Sequence, residues 1–392
     1  MQDKNKLILY EPSEDSFLIQ KHIKEYAKGN VLEIGTGSGI LAETAASCGN
    51  VQSVLAVDIQ KGVIEHCKKN IKNKKIIFRQ SDLFSNIKKT EKFDCIIFNP
   101  PYLPTNRRAP DITLDAGKKG YELIVRFLDA VKEYLTPEGT VLLLFSSFSR
   151  KNIIDEIIKK NLLEATQIDQ QHISFETLYV YAIKKFSLLK DLEKHKIIDV
   201  HYFAKGKRGL VYKGVYAGKS VVVKVQRPDA ITLSTVQFEA RWLKKLNPHN
   251  IGPKLFFVTE HFLVMEFIDG YLFEEFIQMQ QKKDILFMIK KLLQQMYLFD
   301  SLGINKYEMN HPDKHIIIRK GIPIMIDFER CRYTEDPKNI TQVVQFLSSG
   351  RIIVLLEKKR IAVDKEQMYL AARIYKFNRT KRNYNNIIKL IK

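Results

Sequence analysis

Six short β-rich runs, NVLEIG, SVLAVD, KIIFRQ, DCIIFN, TVLLLF and LYVYAI, are spaced through residues 30–184, with helix-like stretches such as ILAETAAS, GVIEHCKKNI and YELIVRFLDAVKEYL between them. Continuous apolar strands alternating with amphipathic helices predict βαβ units and a mostly parallel sheet covered on both faces. The stretch FSLLKDLEKHKIID, 186–199, is charged and helical and reads as a connector without strand signal. After it the pattern changes. HYFAKGKRGLVYKGVYAGKSVVVKV reads as antiparallel strands with Gly turns, then come a helix (STVQFEARWLKKL), two more strands and a run of helices. The 392 residues exceed one ordinary core, so two domains are expected, 1–186 and 187–392, the second with a β-rich lobe at about 195–268 and a helical lobe at about 269–392.

Cys48, Cys67, Cys95 and Cys331 form no CxxC pair, which argues against a zinc or disulfide framework and fits a reducing cytoplasm. The first fifteen residues lack a basic, apolar leader and no apolar run approaches the roughly 20 residues that span a bilayer, so a cytoplasmic protein without membrane contact is expected. The net charge of +20 is uneven: residues 1–186 hold 27 Lys and Arg against 23 Asp and Glu, and the remainder holds 37 against 21. A basic second half fits contact with RNA or the ribosome, and coding bias toward Lys explains it equally well.

The ends of the first four strands carry the chemistry. VLEIGTGSGI, 31–40, places Gly35, Gly37 and Gly39 where a backbone turns tightly against a ligand ahead of a helix. The spacing is GxGxG rather than the GxGxxG of a dinucleotide loop. The second strand ends at Asp58, a carboxylate for two ribose hydroxyls, and the third at Asp82, suited to an adenine amino group. Either Asp alone is more often a turn or cap residue. Together they sit where ligands bind in open α/β sheets, outside the carboxyl ends of the strands. The fourth strand runs into Asn99-Pro100-Pro101-Tyr102. Two prolines end the ladder and stiffen the turn. Asn99 and the Pro100 carbonyl can accept both hydrogens of a substrate NH2 while Tyr102 stacks on its π-system, aiming the nitrogen at an electrophilic methyl.

Through YEPSEDSFL (10–18), LEIGTGSG (32–39), VDI (57–59), SDLF (81–84), FNPPYLP (98–104) and DAGKKGYE (115–122), the chain resembles the class I S-adenosylmethionine-dependent methyltransferases with an NPPY motif. Among them it is similar to the release-factor glutamine methyltransferases of the archaeal and eukaryotic type, over about residues 8–185. The resemblance implies a Rossmann-like seven-stranded fold and methylation of the GGQ glutamine amide of the translation termination factor. It implies that Glu33, Gly35, Gly37, Asp58 and Asp82 hold S-adenosylmethionine, with Asp15 and Ser16 beside it, and that Asn99, Pro100 and Tyr102 hold the amide. It also implies a small zinc-binding activator subunit as partner. The alternative is methylation of adenine N6, cytosine N4 or guanine N2 in RNA or DNA, with the basic half as the nucleic-acid-binding module.

In the second half, Gly206, Gly209 and Gly214 lie in a strand-turn-strand ending at Lys224, Glu239 follows in a helix, MEFIDG (265–270) reads as a hinge, and IPIMIDFE ends a strand at Asp327. A lysine for phosphates, a helix glutamate and a metal-binding Asp before Phe form the nucleotide-binding set of a protein kinase. The stretch 195–345 resembles the small RIO-like kinases, which implies a two-lobed α+β domain binding ATP, with Asp327 as a ligand for Mg. It departs from them at the catalytic loop. In the register that aligns the HIII strand, Asn310 and His315 replace the base and the metal-binding Asn, leaving Glu308 or Asp313 as substitute bases or a domain that binds without phosphotransfer.

Overall fold

The computed structural model describes residues 9–102, 120–205, 209–226, 235–309 and 312–391. The chain divides into two units, residues 1–201 and 202–392.

In the first unit, α1 (Glu14–Tyr26) precedes β1 (Gly29–Ile34), α2 (Ile40–Ala46), β2 (Val51–Asp58), α3 (Lys61–Asn70), β3 (Ile76–Gln80) and β4 (Phe93–Phe98). There follow α4 (Glu122–Val131), β5 (Leu135–Ser146), α5 (Lys151–Lys160), β6 (Leu163–Ile173), β7 (Glu176–Lys185) and α6 (Ser187–Lys194). The seven strands form one sheet in the order β3-β2-β1-β4-β5-β7-β6. The first five pair in parallel and β7 runs antiparallel to both β5 and β6. Burial explains the strand composition: residues 31–34 of β1 and 54–58 of β2 are buried without interruption, as a sheet covered on both faces requires. On one face α4 buries Ile124, Phe127, Leu128 and Val131, each contributing about 1.5–3 kcal/mol.

Chain order reverses between β1 and β4, the switch point at which an α/β sheet opens a crevice. Register makes this specific. Ile34 lies opposite Phe98 and Val57, so the next residues, Gly35, Asn99 and Asp58, come side by side at the carboxyl edge of the sheet, Asp58 as the last residue of β2.

The second unit opens with β8 (Ile197–Lys205), which straddles the division, β9 (Gly209–Tyr216), β10 (Lys219–Gln226), α7 (Thr235–Leu246), β11 (Leu255–Val258) and β12 (Phe262–Glu266). These strands make a five-stranded sheet, β11-β12-β10-β9-β8. The start of β8 corrects the expectation that 186–199 is helical throughout. Helix α6 ends at Lys194, and Lys196, with φ of 61°, turns the chain into a strand at Ile197. The remainder comprises β13 (Tyr271–Leu272), α8 (Phe273–Met279), α9 (Lys282–Ser301), β14 (Ile304–Lys306), β15 (Ile316–Arg319), β16 (Ile322–Met325), β17 (Cys331–Tyr333), α10 (Asn339–Leu347), α11 (Gly350–Glu357), α12 (Lys365–Phe377) and α13 (Lys381–Lys389). Its core gathers around α9, from which Met288, Ile289, Leu292, Leu293, Met296 and Phe299 are fully buried. Among the described residues no single helix is long and apolar enough to cross a membrane.

Candidate active site

A cavity of about 270 Å³ lies outside the carboxyl ends of β1, β2, β3 and β4, lined by Tyr10, Asp15, Ser16, Glu33, Gly35, Gly37, Asp58, Asp82, Asn99, Pro100 and Tyr102 among others. Every residue expected from the sequence to hold cofactor or amide in this unit is on that wall.

The glycine loop is held to β2: the Gly35 and Thr36 N–H groups both donate to the Val57 carbonyl, at 2.8 and 3.0 Å. Gly35 (φ 71°) and Gly39 (φ 85°) occupy left-handed backbone, and a Cβ at Gly39 would meet Ile71 at 2.4 Å. Asp58 accepts from the Gly37 N–H at 3.2 Å and the Gln60 N–H at 2.9 Å, and burial raises its pKa. Glu33 accepts from Thr36 Oγ1 at 2.6 Å. Burial, reinforced by Asp58, pushes Glu33 up to about 8 despite that bond. Two carboxylates with raised pKa values above a glycine turn fit a ligand bearing hydroxyls and positive charge. Asp82 is tied to Arg126 of α4 at 2.8 Å.

The Asn99 side chain is fixed from afar. Its Nδ2 donates to Asp15 Oδ2 at 3.1 Å. Asp15, at the N-terminal turn of α1 and 4% exposed, also accepts from the Tyr10 hydroxyl at 2.8 and 2.9 Å and from the Ser16 N–H at 2.6 Å. The helix N-terminus favours a carboxylate there. A carboxylate only accepts, so the amide must present its NH2 to Asp15 and turn its oxygen the other way. That oxygen is buried and has no hydrogen-bond partner among the described residues. An orphaned buried acceptor awaits a donor. Burial, with Asp15 and Glu176 nearby, keeps the Tyr102 phenol neutral by raising its pKa. The sequence reading set Asp15 beside the cofactor and did not foresee its bond to Asn99, because the partners are 84 residues apart.

The model of the methyltransferase small domain matches residues 14–175. A Methanocaldococcus jannaschii protein with the provisional name protein N5-glutamine methyltransferase is 39% identical over 148 residues, 36% of this chain and 74% of that protein. The chain belongs to the N5-glutamine methyltransferase family. The release factor glutamine methyltransferase of Streptococcus pneumoniae is 30% identical over 34% of this chain and 52% of its own length, so the chain spans about half of that relative. Human methyltransferase HEMK2 is 28% identical over 45% of this chain and 90% of its own. Among solved structures, the E. cuniculi Mtq2-Trm112 complex, responsible for the methylation of the eRF1 translation termination factor, aligns with a TM-score of 0.38 and 23% identity, over 45% of this chain and 98% of that one. The first unit is thus a Rossmann-like methyltransferase domain of this family, with a mixed sheet.

The second unit carries a separate constellation. Lys224 on β10 places its Nζ 2.8 Å from both carboxylate oxygens of Glu239 on α7. Glu239 is buried and also accepts from the Phe328 N–H at 3.3 Å. Burial works against the Lys224 charge, but Glu239 and Asp327 outweigh it and hold its pKa above the ordinary value. Asp327 has a left-handed backbone, φ 64°. Burial would raise its pKa, and Lys224, Lys306 and His315 keep it below the ordinary value instead. The sequence did not single out Lys306. It is buried, and its ammonium donates to the Ile326 and Asp327 carbonyls at 3.0 and 2.6 Å. His315 stands 3.9 Å from Asp327 and 3.5 Å from Glu308, which is also paired with Arg330. Asp313 faces Arg351 at 4.0 Å. Gly209 has a packing reason to be glycine, since a Cβ would meet the Val225 carbonyl at 2.4 Å. Gly206 and Asn310 lie outside the described residues. Among those described, no group of three His, Cys, Asp or Glu side chains converges as a metal site.

Proposed function

We propose that the first unit is an S-adenosylmethionine-dependent methyltransferase acting on the side-chain amide of a protein glutamine, with the GGQ glutamine of a translation release factor as substrate. The observation that carries this reading is the buried, unpartnered Oδ1 of Asn99, a cavity-lining side chain whose NH2 is held by Asp15. The bound cofactor supplies the electrophilic methyl group. Glu33, Asp58 and the Gly35–Gly37 turn hold it, with Asp82 at the third strand end. Asn99 Oδ1 takes one N–H of the substrate amide and the Pro100 carbonyl the other. Both acceptors favour the extra positive charge that the nitrogen develops as its bond to carbon forms. Tyr102, held neutral, covers the amide plane without offering a competing anion. Pro100 and Pro101 keep the acceptors fixed, so little reorganisation accompanies the transfer.

The test is transfer of labelled methyl to purified release factor, to total RNA and to DNA, with and without a small zinc-binding activator subunit, and with Asn99→Ala as control. Label on the factor that vanishes when its GGQ glutamine is replaced supports the reading. Label on nucleic acid alone would falsify it in favour of a base amino-methyltransferase.

A specific observation favours a second activity in the other unit. We propose that it is kinase-like and binds a nucleotide, because the Lys224–Glu239 pair bridges strand and helix beside Asp327, as a site for ATP phosphates and Mg demands. With His315 beside Asp327, nucleotide binding rather than phosphotransfer is the expected property.

A further inference from the structure

The second unit has a cleft of about 960 Å³ that shares no lining residue with the Lys224–Glu239–Asp327 constellation. Its walls are the last turn of α7, the segment 247–258 leading through β11, the end of β12 and the β15–β16 turn. Strand β11 is an edge of the five-stranded sheet.

The charges lining this cleft are one-sided. Lys244, Lys254 and Lys320 are exposed, and none has an ion-pair partner among the described residues. The one carboxylate on the wall, Glu266, is already paired with Arg319 at 2.5 Å. Three uncompensated ammonium groups therefore face the cleft. Between them Phe256 is half-buried, with the Lys254 ammonium 6.0 Å from its ring centroid and Tyr216 edge-on at 5.6 Å. Tyr216 fixes the ring, and its partial exposure leaves part of it free for stacking. Cations that take phosphates beside an aromatic face that takes a base are the two components of a sequence-tolerant site for a single strand. An acidic peptide would satisfy the lysines but make no use of the ring.

We propose that this cleft binds single-stranded nucleic acid, with Lys244, Lys254 and Lys320 pairing with phosphates and Phe256 stacking on a base. This localises part of the excess positive charge of the second half to one site, independently of the methyl acceptor.

The experiment is fluorescence anisotropy of the full chain with a short labelled single-stranded RNA across a salt series. Wild type is compared with Lys244→Gln/Lys254→Gln/Lys320→Gln and with a charge-matched control, Lys283→Gln/Lys290→Gln/Lys376→Gln, whose positions are exposed elsewhere on the unit. Removing three phosphate contacts should lower the slope of log affinity against log salt by about 2, from roughly 0.7 per phosphate on a single strand. The control should leave slope and affinity nearly as in wild type. Phe256→Ala should weaken binding about 5- to 150-fold without changing the slope, as loss of one stacked base does. Unchanged thermal melting of each variant establishes that the fold is intact. Equal losses in cleft and control variants, competition by polyglutamate as effective as by unlabelled RNA, or no RNA binding by wild type at low salt would each overturn the proposal.

Discussion

Replacing Asp15 by Asn tests the logic of the methyltransferase site with almost no change of shape. Asp15 Oδ1 receives the Ser16 N–H and Oδ2 receives Asn99 Nδ2, while the Tyr10 hydroxyl lies within reach of both. An asparagine keeps its oxygen toward the Ser16 N–H, because an NH2 there would oppose a donor at 2.6 Å. Its NH2 then faces Asn99, whose amide must turn to present its oxygen. The acceptor aimed at the cavity becomes a donor, opposing the NH2 of the substrate. Removing one preorganised hydrogen-bond partner of a transition state costs about 10²–10³ in kcat, and reversing its polarity should cost at least as much. The isosteric side chain keeps packing and cofactor contacts. The expected result is a fall in kcat of about 10²-fold or more, with cofactor affinity nearly unchanged by calorimetry and Asp15→Glu unable to restore rate. The reasoning fails if single-turnover methyl transfer is unaffected. It fails differently if cofactor affinity falls in step with rate, which would return Asp15 to the cofactor side where the sequence reading had placed it.

Glu33 makes a pH prediction. Its folded pKa of about 8 exceeds the ordinary 4.5, so the folded state holds a proton that the unfolded chain has released. Its contribution to stability is fully present below the ordinary value and is lost as pH rises through about 8. A cation beside Glu33 favours the anion, so cofactor binding near neutrality should release a proton and tighten as pH rises. Calorimetry in buffers of different ionisation enthalpy measures this, and proton release that persists in Glu33→Gln would refute the assignment. Lys224→Met should weaken ATP binding at least tenfold, since a charge-assisted contact is worth about 1.5–3 kcal/mol. Equal affinity would remove the nucleotide site. Asn339→Ala should lower the melting temperature of the second unit alone. It strips buried Asp300 of the Nδ2 bond at 2.7 Å and takes the side-chain partner from the Ile304 carbonyl at 2.7 Å and the Lys306 N–H at 2.8 Å, and a buried polar group left unsatisfied costs about 1–3 kcal/mol. Unchanged melting by calorimetry would show that water replaces the amide.

Much of the first unit was legible because its determinants are local. Apolar runs announce strands buried on both faces, and the cavity-lining residues stand at the strand ends, Asp58 as the last residue of β2 and Gly35 and Asn99 one position beyond β1 and β4. Strand β6 escaped the reading because LEATQIDQQHI is largely exposed, with neither an apolar run nor alternation to mark it. The antiparallel placing of β7 between β5 and β6 is likewise a matter of tertiary pairing. In the second unit, the spacing of Lys224 and Glu239 foretold a pair that forms at 2.8 Å. The chemistry around 308–315 was not readable, since it depends on which side chains His315 meets.

What the sequence hid in both units is a support of one kind. Asn99 and Asp327 stand in recognisable motifs, yet each is held by a buried ionisable residue from another element: Asp15 for the amide, Lys306 for the peptide carbonyls on either side of Asp327. A left-handed conformation in a residue other than Gly costs about 1–3 kcal/mol and persists only where its surroundings impose it. The two bonds from Lys306 pull the Ile326 and Asp327 carbonyls toward one ammonium, which an ordinary extended turn at Asp327 would separate. Burial lowers the Lys306 pKa, with nearby Cys331 and Asp327 opposing that effect. Lys224, Lys306 and His315 together favour the anionic form of the Asp327 carboxylate. On the proposal that this unit binds a nucleotide, Lys306 is the residue whose loss should disturb Asp327 first: Lys306→Met should weaken ATP binding in step with Lys224→Met, and unchanged affinity by calorimetry would show that the Asp327 backbone keeps its conformation without the ammonium.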